Sequence, residues 1–294
     1  MTDLYADPSG SPRPTMAPAE AAPRTGSVPL ARASRLGARD LRVDYGADPI
    51  LDDVSVDILD GELTVVVGPN ACGKSTLLRA LARVLPVRAG EIDLDGRPIG
   101  SYHPKEVGRR LGLLPQSPTA PEGIVVADLV ARGRYPHQSL LRQWSPADQR
   151  AVDSAMAAAN VVDLGERPLG ELSGGQRQRV WIAMALAQET SLLLLDEPTT
   201  YLDIAHQLEV LDLTRRLHRE GRTVVVVLHE LHLAFRYATH LIVMRDGGIL
   251  AEGAPRDVVT AELIEAVFDV PCRVVPDPET GTPMVIPLAR WGER

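Results

Sequence analysis

The chain has 294 residues, 45% apolar and 24% charged, enough for one good-sized core or two small ones. Its formal net charge of −8 argues against a protein that grips nucleic acid by the phosphates, because that role needs a basic face. Its two cysteines, Cys72 and Cys272, match no metal spacing and exclude a disulfide framework, which fits a reducing cytoplasm, and no apolar run approaches the ~20 residues that span a bilayer.

Residues 1–37 are rich in Pro, Ala, Ser and Gly and carry no period, so a disordered tail is expected there, without the apolar core of a secretory signal. From Leu41 the pattern changes. "LRVDYG" alternates and ends in a turn, as a strand does. "LTVVVG" (63–68) is a buried-strand run that meets a glycine loop, and "STLLRALARVL" follows with helical spacing. "EIDLDG" and "LGLLPQ" are short strand candidates. Residues 124–165 read as a mostly helical insert, in which Ser145 is an N-cap and Pro146 takes the first helical position. Beyond it come a helix ("RVWIAMALAQE"), a strand ("LLLLDEP"), a helix ("IAHQLEVLDLTRRLHRE"), a strand ("TVVVVLHE") and a helix ("HLAFRYA"). "HLIVMRDGGILAEG" reads as a strand pair turning at Gly247-Gly248. Buried strands alternating with helices predict an α/β chain with a largely parallel, doubly wound sheet.

Three motifs carry chemistry. "GPNACGKST" fits G-x-x-x-x-G-K-[ST] between a strand and a helix, the context that makes this pattern a phosphate cradle. Backbone N–H groups from Gly68, Pro69's successor Asn70, Ala71, Cys72 and Gly73 would line a concave anion site with the helix N-terminus. Lys74 would reach the β- and γ-phosphates of a nucleotide, Ser75 would offer its hydroxyl to Mg²⁺, and Thr76 completes the motif. "LLLLDEP" projects Asp196 and Glu197 from the end of a strand, where ligands of open α/β sheets sit. Asp196 can then hold Mg²⁺, and Glu197 can take a proton from an attacking water. "LSGGQRQR" sets Ser173, Gly174, Gly175 and Gln176 ahead of a helix, a second anion-binding N-terminus. "HELH" (229–232) invites a zinc reading, but its histidines are three apart, and the first ends a strand, whereas the zinc pattern spaces them four apart on a helix.

These three motifs, in this order, resemble the nucleotide-binding subunits of ATP-binding-cassette (ABC) proteins, and the resemblance covers residues 38–270. It implies a P-loop ABC nucleotide-binding domain: a mostly parallel core sheet, an antiparallel β part and a helical subdomain at about 117–171. Residues 271–294 would form a short C-terminal extension. By the same resemblance Tyr45 would stack on adenine. Gln116 would line the Mg²⁺ and the water and couple the site to the insert. Asp203 would face a dimer partner, and His229 would contact the γ-phosphate. Glu230 stands where the family usually has Asp. The family works as a head-to-tail homodimer with ATP and Mg²⁺ at two shared sites, each pairing Lys74 of one chain with Ser173 and Gly175 of the other. An integral-membrane permease would dock on the helical subdomain at the cytoplasmic face of the membrane, fed by a substrate-binding protein.

Within the family, "RGRYPHQ", "TTYLDIAHQLEVLDL", "HLAFRYA" and the ending "PCRVVPDPETGTPMVIPL" are similar to the ATPases of bacterial importers for ferric siderophores, haem and cobalamin, siderophores foremost. The competing expectation is a cassette ATPase without a permease. Repair and chromosome types carry long coiled-coil arms, but only 98 residues without heptads separate Lys74 from Ser173. Translation types usually hold two cassettes, and each motif occurs once here. A simple P-loop kinase or GTPase would lack "LSGGQ". Ala71 stands where relatives commonly have a third glycine. Its methyl is tolerable at negative φ, and the intact motif around it predicts such a tolerated conformation. Cys72 lies near Lys74 and a helix N-terminus, which predicts a reactive thiolate that bound ATP protects.

Overall fold

The computed structural model describes residues 34–44, 46, 49–139 and 144–288. The expected tail over 1–33 and the adenine-stacking Tyr45 lie outside the described residues. Ser34–Gly37, expected in the tail, are instead the first residues of a strand.

In chain order the elements are β1 (Ser34–Asp44), β2 (Pro49–Leu59), β3 (Leu63–Val67), α1 (Lys74–Leu81), β4 (Ala89–Leu94), β5 (Arg97–Pro98), α2 (Pro104–Arg110) and β6 (Leu111–Leu114). The insert holds α3 (Val126–Ala131) and α4 (Pro146–Ala158), with short 3₁₀ turns around them, and leads into α5 (Gly174–Ala187). Then follow β7 (Leu192–Asp196), α6 (Ile204–Arg219), β8 (Thr223–Val227), α7 (Leu231–Tyr237), β9 (His240–Arg245) and β10 (Gly248–Gly253). The last elements are α8 (Pro255–Val258), α9 (Ala261–Phe268), β11 (Cys272–Pro276) and β12 (Pro283–Pro287).

Among the described residues the strands make three sheets. The central one has the order β10-β9-β3-β8-β7-β6. It is parallel from β9 to β6, and only the β9–β10 edge is antiparallel. A second, antiparallel sheet runs β2-β1-β4-β5, and β11 pairs with β12 in a hairpin. The sequence reading missed β2. Its apolar positions are interrupted by Asp52, Asp53 and Asp57, because one side of the strand faces outward.

The buried runs explain the layering. Every residue of β3, β7 and β8 is buried, as interior parallel strands covered on both faces must be. Alternate residues then feed opposite cores. Leu63, Val65, Val67, Leu193, Leu195, Val224 and Val226 join the core beneath α3 to α7. Val66, Leu192, Leu194, Val225 and Val227 join the core shared with α1, β1, β2 and β4. Each such leucine or valine contributes about 1.5–3 kcal/mol on burial, so a polar residue at these positions would break the sheet's fit to one core or the other.

The helices begin where side chains satisfy their first N–H groups. Ser145 caps α4 in a reciprocal box with Asp148, Pro146 sits in its first turn, and Asp203 caps α6. Arg134 is buried at the root of the insert, where it donates to Asp148 Oδ1 (2.9 Å), Ala187 O (2.7 Å) and Glu189 Oε2 (2.7 Å). It thereby ties α4 to the end of α5.

Candidate active site: a nucleotide cleft at the strand ends

Parallel pairing brings the carboxyl ends of four strands to one edge. Val66 of β3 aligns with Val227 of β8, Val227 with Asp196 of β7, and Leu195 with Leu114 of β6. Each of these strands is followed by a residue singled out in the sequence: the glycine loop after β3, Gln116 after β6, Glu197 after β7 and His229 after β8. Neighbouring strands lie ~4.8 Å apart, so β3 and β7 are separated by about 10 Å across β8. The loop crosses that gap, and Ser75 Oγ donates to Asp196 Oδ1 at 2.7 Å.

The loop's shape follows from its glycines. A Cβ on Gly68 would sit 2.2 Å from Met244 O and 2.8 Å from Cys72 Sγ, so only glycine lets the loop pass β9. Gly73 has φ 101°, a left-handed conformation that suits glycine just before α1. Ala71 departs from expectation. Its φ is 61°, left-handed rather than negative, so the loop keeps the glycine-type turn and bears the cost of a Cβ there. Lys74 is buried, and its ammonium donates to Gly68 O (2.9 Å) and Pro69 O (2.7 Å). These two carbonyls hold it against the loop.

Cys72 corrects a second expectation. It is buried, and desolvation pushes its thiol up despite the pull of Lys74, whose Nζ is 4.0 Å from Sγ. Burial thus opposes the thiolate that the nearby cation favours, and it is the larger of the two effects.

Opposite the loop, three side chains converge. Gln116 Nε2 donates to Glu197 Oε2, Thr200 Oγ1 donates to the same oxygen at 3.2 Å, and His229 Nε2 lies 2.6 Å from Glu197 Oε1. Glu197 itself has φ 53°, a strained conformation for a residue with a Cβ, of the kind found where backbone geometry aims a functional group. Loop and trio line one cleft of about 680 Å³, with Asn70, Lys74, Ser75 and Thr76 on one wall and Gln116, Glu197 and His229 on the other. Ile50, Thr200 and Tyr201 also line it. Sequence reasoning passed over these three, although Thr200 and Tyr201 stand inside the quoted "TTYLD".

Asp196 is fully buried. Desolvation raises its pKa above the usual carboxylate value, with Ser75 and Arg79 pulling the other way. Its Oδ2 has no hydrogen-bond partner, and the Arg79 guanidinium lies 3.5 Å off. A buried carboxylate oxygen left in this state, beside a serine hydroxyl, fits a hard divalent cation. Among the described residues no group of three His, Cys, Asp or Glu could hold a metal, so a cation here would draw further oxygens from its ligand.

Ser173, Gly174, Gly175, Gln176 and Asp203 are absent from the cleft lining. Ser173 and Gln176 instead cap α5 reciprocally: Ser173 N donates to Gln176 Oε1 (3.0 Å), and Gln176 N donates to Ser173 Oγ (3.2 Å). A Cβ on Gly175 would meet the His206 ring at 2.5 Å, and His206 Nδ1 is 2.7 Å from Asp203 Oδ1. The signature segment and Asp203 are thus joined through His206 on a surface apart from the cradle.

Residues 51–200 match the family model described as "ABC transporter". The ferric enterobactin transport ATP-binding protein of Escherichia coli (strain K12) is 51% identical over 258 residues, covering 87% of this chain and 95% of that protein. The chain belongs to the ABC transporter family. It is an ATP-binding cassette subunit that hydrolyses ATP to drive import. The hemin import ATP-binding protein of Thermobifida fusca (strain YX) is 43% identical over 253 residues, 86% of this chain and 88% of that one. Among solved structures, one described as an inward-facing conformation of a metal-chelate type ABC transporter superposes with a TM-score of 0.75 at 30% identity, covering 87% of this chain and 98% of that chain. The fold is accordingly the P-loop ABC nucleotide-binding fold, with a mixed sheet core and a helical subdomain. Among the described residues no helix is long and apolar enough to cross a membrane.

Proposed function

We propose that this ABC subunit energises uptake of a ferric siderophore. The observation that carries the reading is the 51% identity, over nearly the whole of both chains, to a ferric enterobactin transport ATP-binding protein, against 42–44% to hemin import ATP-binding proteins. Haem or cobalamin import ranks below it. The subunit would act at the cytoplasmic face of the membrane. Its helical subdomain would receive an integral-membrane permease, and a substrate-binding protein would deliver the cargo.

In this reading Lys74 and the backbone N–H groups from Asn70 to Thr76 hold the phosphates of ATP, and the adenine-stacking role expected of Tyr45 lies outside the described residues. Ser75 and Asp196 would hold Mg²⁺ with help from Gln116, and the buried Asp196 Oδ2, which accepts no hydrogen bond, supports this. The ion would supply positive charge against the phosphate oxygens. Glu197 Oε2 accepts the proton of the attacking water. Gln116 and Thr200 already reach that oxygen, so the carboxylate is oriented before the water arrives. His229 orients the other carboxylate oxygen through Nε2 and lines the cleft beside the γ-phosphate, to which it would donate once released from Glu197.

One chain leaves the γ-phosphate's outer side open, because the signature segment lies elsewhere. A second copy supplies it: two chains pack head to tail, each presenting Ser173, Gly174, Gly175 and Gln176 to the other's cradle, with Asp203 at the seam. Hydrolysis removes the shared phosphate contact and lets the pair open against the permease.

The test has two parts. Glu197→Gln should cut turnover by about 10²–10⁴-fold and trap an ATP-bound dimer in gel filtration; undiminished turnover rejects the base assignment. Deletion of the gene should abolish uptake of radiolabelled iron presented as a siderophore chelate. Normal siderophore uptake, with haem uptake lost instead, rejects the cargo.

A further inference from the structure

A second cleft, of about 410 Å³, lies at the far end of α6. We infer that it binds a small molecule bearing two or more phosphate or carboxylate groups. Its walls converge from separate elements: Arg215, His218 and Arg219 from the last turns of α6, Arg236 from α7, Arg256 from α8, and Thr280 from the turn between β11 and β12. The 16 residues of α6 put this cleft ~24 Å from the helix's N-terminus, where Tyr201 just upstream still lines the nucleotide cleft.

Four guanidiniums gather here in a chain of net charge −8. Basic residues in the last turn of a helix commonly offset its dipole. Arg219, Arg236 and Arg256 each stand in the last turn of their own helix, but the dipoles of three separate helices do not account for the meeting of these side chains in one cleft. The nearby carboxylates are already engaged. Asp277 Oδ1 accepts from the N–H groups of Glu279 (2.8 Å) and Thr280 (3.2 Å), and its Oδ2 lies 3.4 Å from Arg236 Nε. Asp212 Oδ1 accepts from Tyr237 Oη at 2.7 Å. Among the described residues no carboxylate pairs with Arg215, Arg219 or Arg256. Arg215 lies over the Tyr237 ring, 5.9 Å from its centroid, and Arg256 Nη2 reaches Thr280 O at 3.4 Å, so two of the cations are positioned rather than loose. Guanidinium forks match phosphate and carboxylate oxygens in pairs, and the volume is in the range of small-molecule sites. A singly charged anion would leave most of this field uncompensated, so the ligand carries at least two anionic groups.

The P-loop also takes phosphates, so the test uses full-length Lys74→Ala protein, titrated calorimetrically with inorganic pyrophosphate and, separately, with citrate. Saturable one-to-one binding that weakens with added salt is expected. Pyrophosphate binding tighter than citrate identifies a phosphorylated ligand, and the reverse identifies a polycarboxylate. Adding Arg219→Gln with Arg256→Gln should weaken binding at least about tenfold, while the same pair in a chain with Lys74 intact keeps ATPase activity within about twofold of wild type. Should that double variant melt early, Arg219→Lys, which keeps the charge and removes the fork, should still weaken binding. No saturable binding of either probe, or equal binding with and without Arg219 and Arg256, overturns the inference.

Discussion

Replacing Ala71 by glycine should stabilise this protein, against the usual direction of an Ala→Gly change. Ala71 has φ 61° in an exposed turn of the phosphate loop. An L-residue in that region costs roughly 1–2 kcal/mol, from its Cβ against the following carbonyl. Glycine removes that strain but loses about 0.5–1 kcal/mol through the greater freedom of the unfolded chain. The difference favours Ala71→Gly by ~0.5–1 kcal/mol, or about 1–4 °C in melting temperature for a domain of this size. Urea unfolding of the protein without nucleotide reads it as a higher midpoint with an unchanged slope. Gly68→Ala supplies the contrast. Its Cβ would come 2.2 Å from Met244 O, so it should destabilise by about 1–3 kcal/mol or more. A lower midpoint for Ala71→Gly would refute the strain argument, since no contact is lost to explain it.

Three further outcomes follow from buried groups. Asp196 has a folded pKa raised by burial, so its contribution to stability is present below the unfolded value and is lost as pH rises through the raised one. Asp196→Asn should therefore melt above wild type at pH 7.5 without Mg²⁺, with the gap closing below about pH 4, while Mg²⁺-dependent hydrolysis falls on the order of 100-fold or more; a lower melting temperature at pH 7.5 contradicts this. Asp148 is the opposite case: the Ser145 hydroxyl, then Arg134, hold its carboxyl below the usual range. Its stabilisation is present above the unfolded value and disappears as pH falls through the depressed one, and Asp148→Ala at pH 7 should cost about 1–3 kcal/mol, because Arg134 loses one acceptor but keeps Glu189 and the Ala187 carbonyl, measured by urea titration. Finally, Cys72 should react with a thiol reagent more slowly than the half-buried Cys272 in the native protein, read by mass spectrometry of timed samples; faster labelling of Cys72 would restore the thiolate reading.

Much of the site was legible because its chemistry is local in sequence. Gly68, Gly73, Lys74 and Ser75 act within one turn, and Asp196 with Glu197 ends one apolar run, so spacing alone identified a phosphate cradle and its acidic partner. The four-leucine and four-valine runs gave the buried strands by the same logic, because a strand covered on both faces tolerates no polar residue. β2 escaped because its outward face carries aspartates that mask the period.

What tertiary structure decided was everything that depends on dielectric or on convergence. Proximity in sequence placed Cys72 beside a cation, but only packing against β9 and the loop buried it and pushed its thiol up rather than down. The sign of φ at Ala71 was likewise invisible, since a methyl fits either reading until the backbone is seen. Gln116, Glu197 and His229 lie up to 113 residues apart and meet only because β6, β7 and β8 run parallel in register. The same is true of Arg219 and Arg256, unremarkable charges in the sequence, which become one site where α6 and α8 end in the same cleft. Sequence fixes which groups are present and their local geometry; their shared electrostatic environment exists only once distant segments have excluded the water between them.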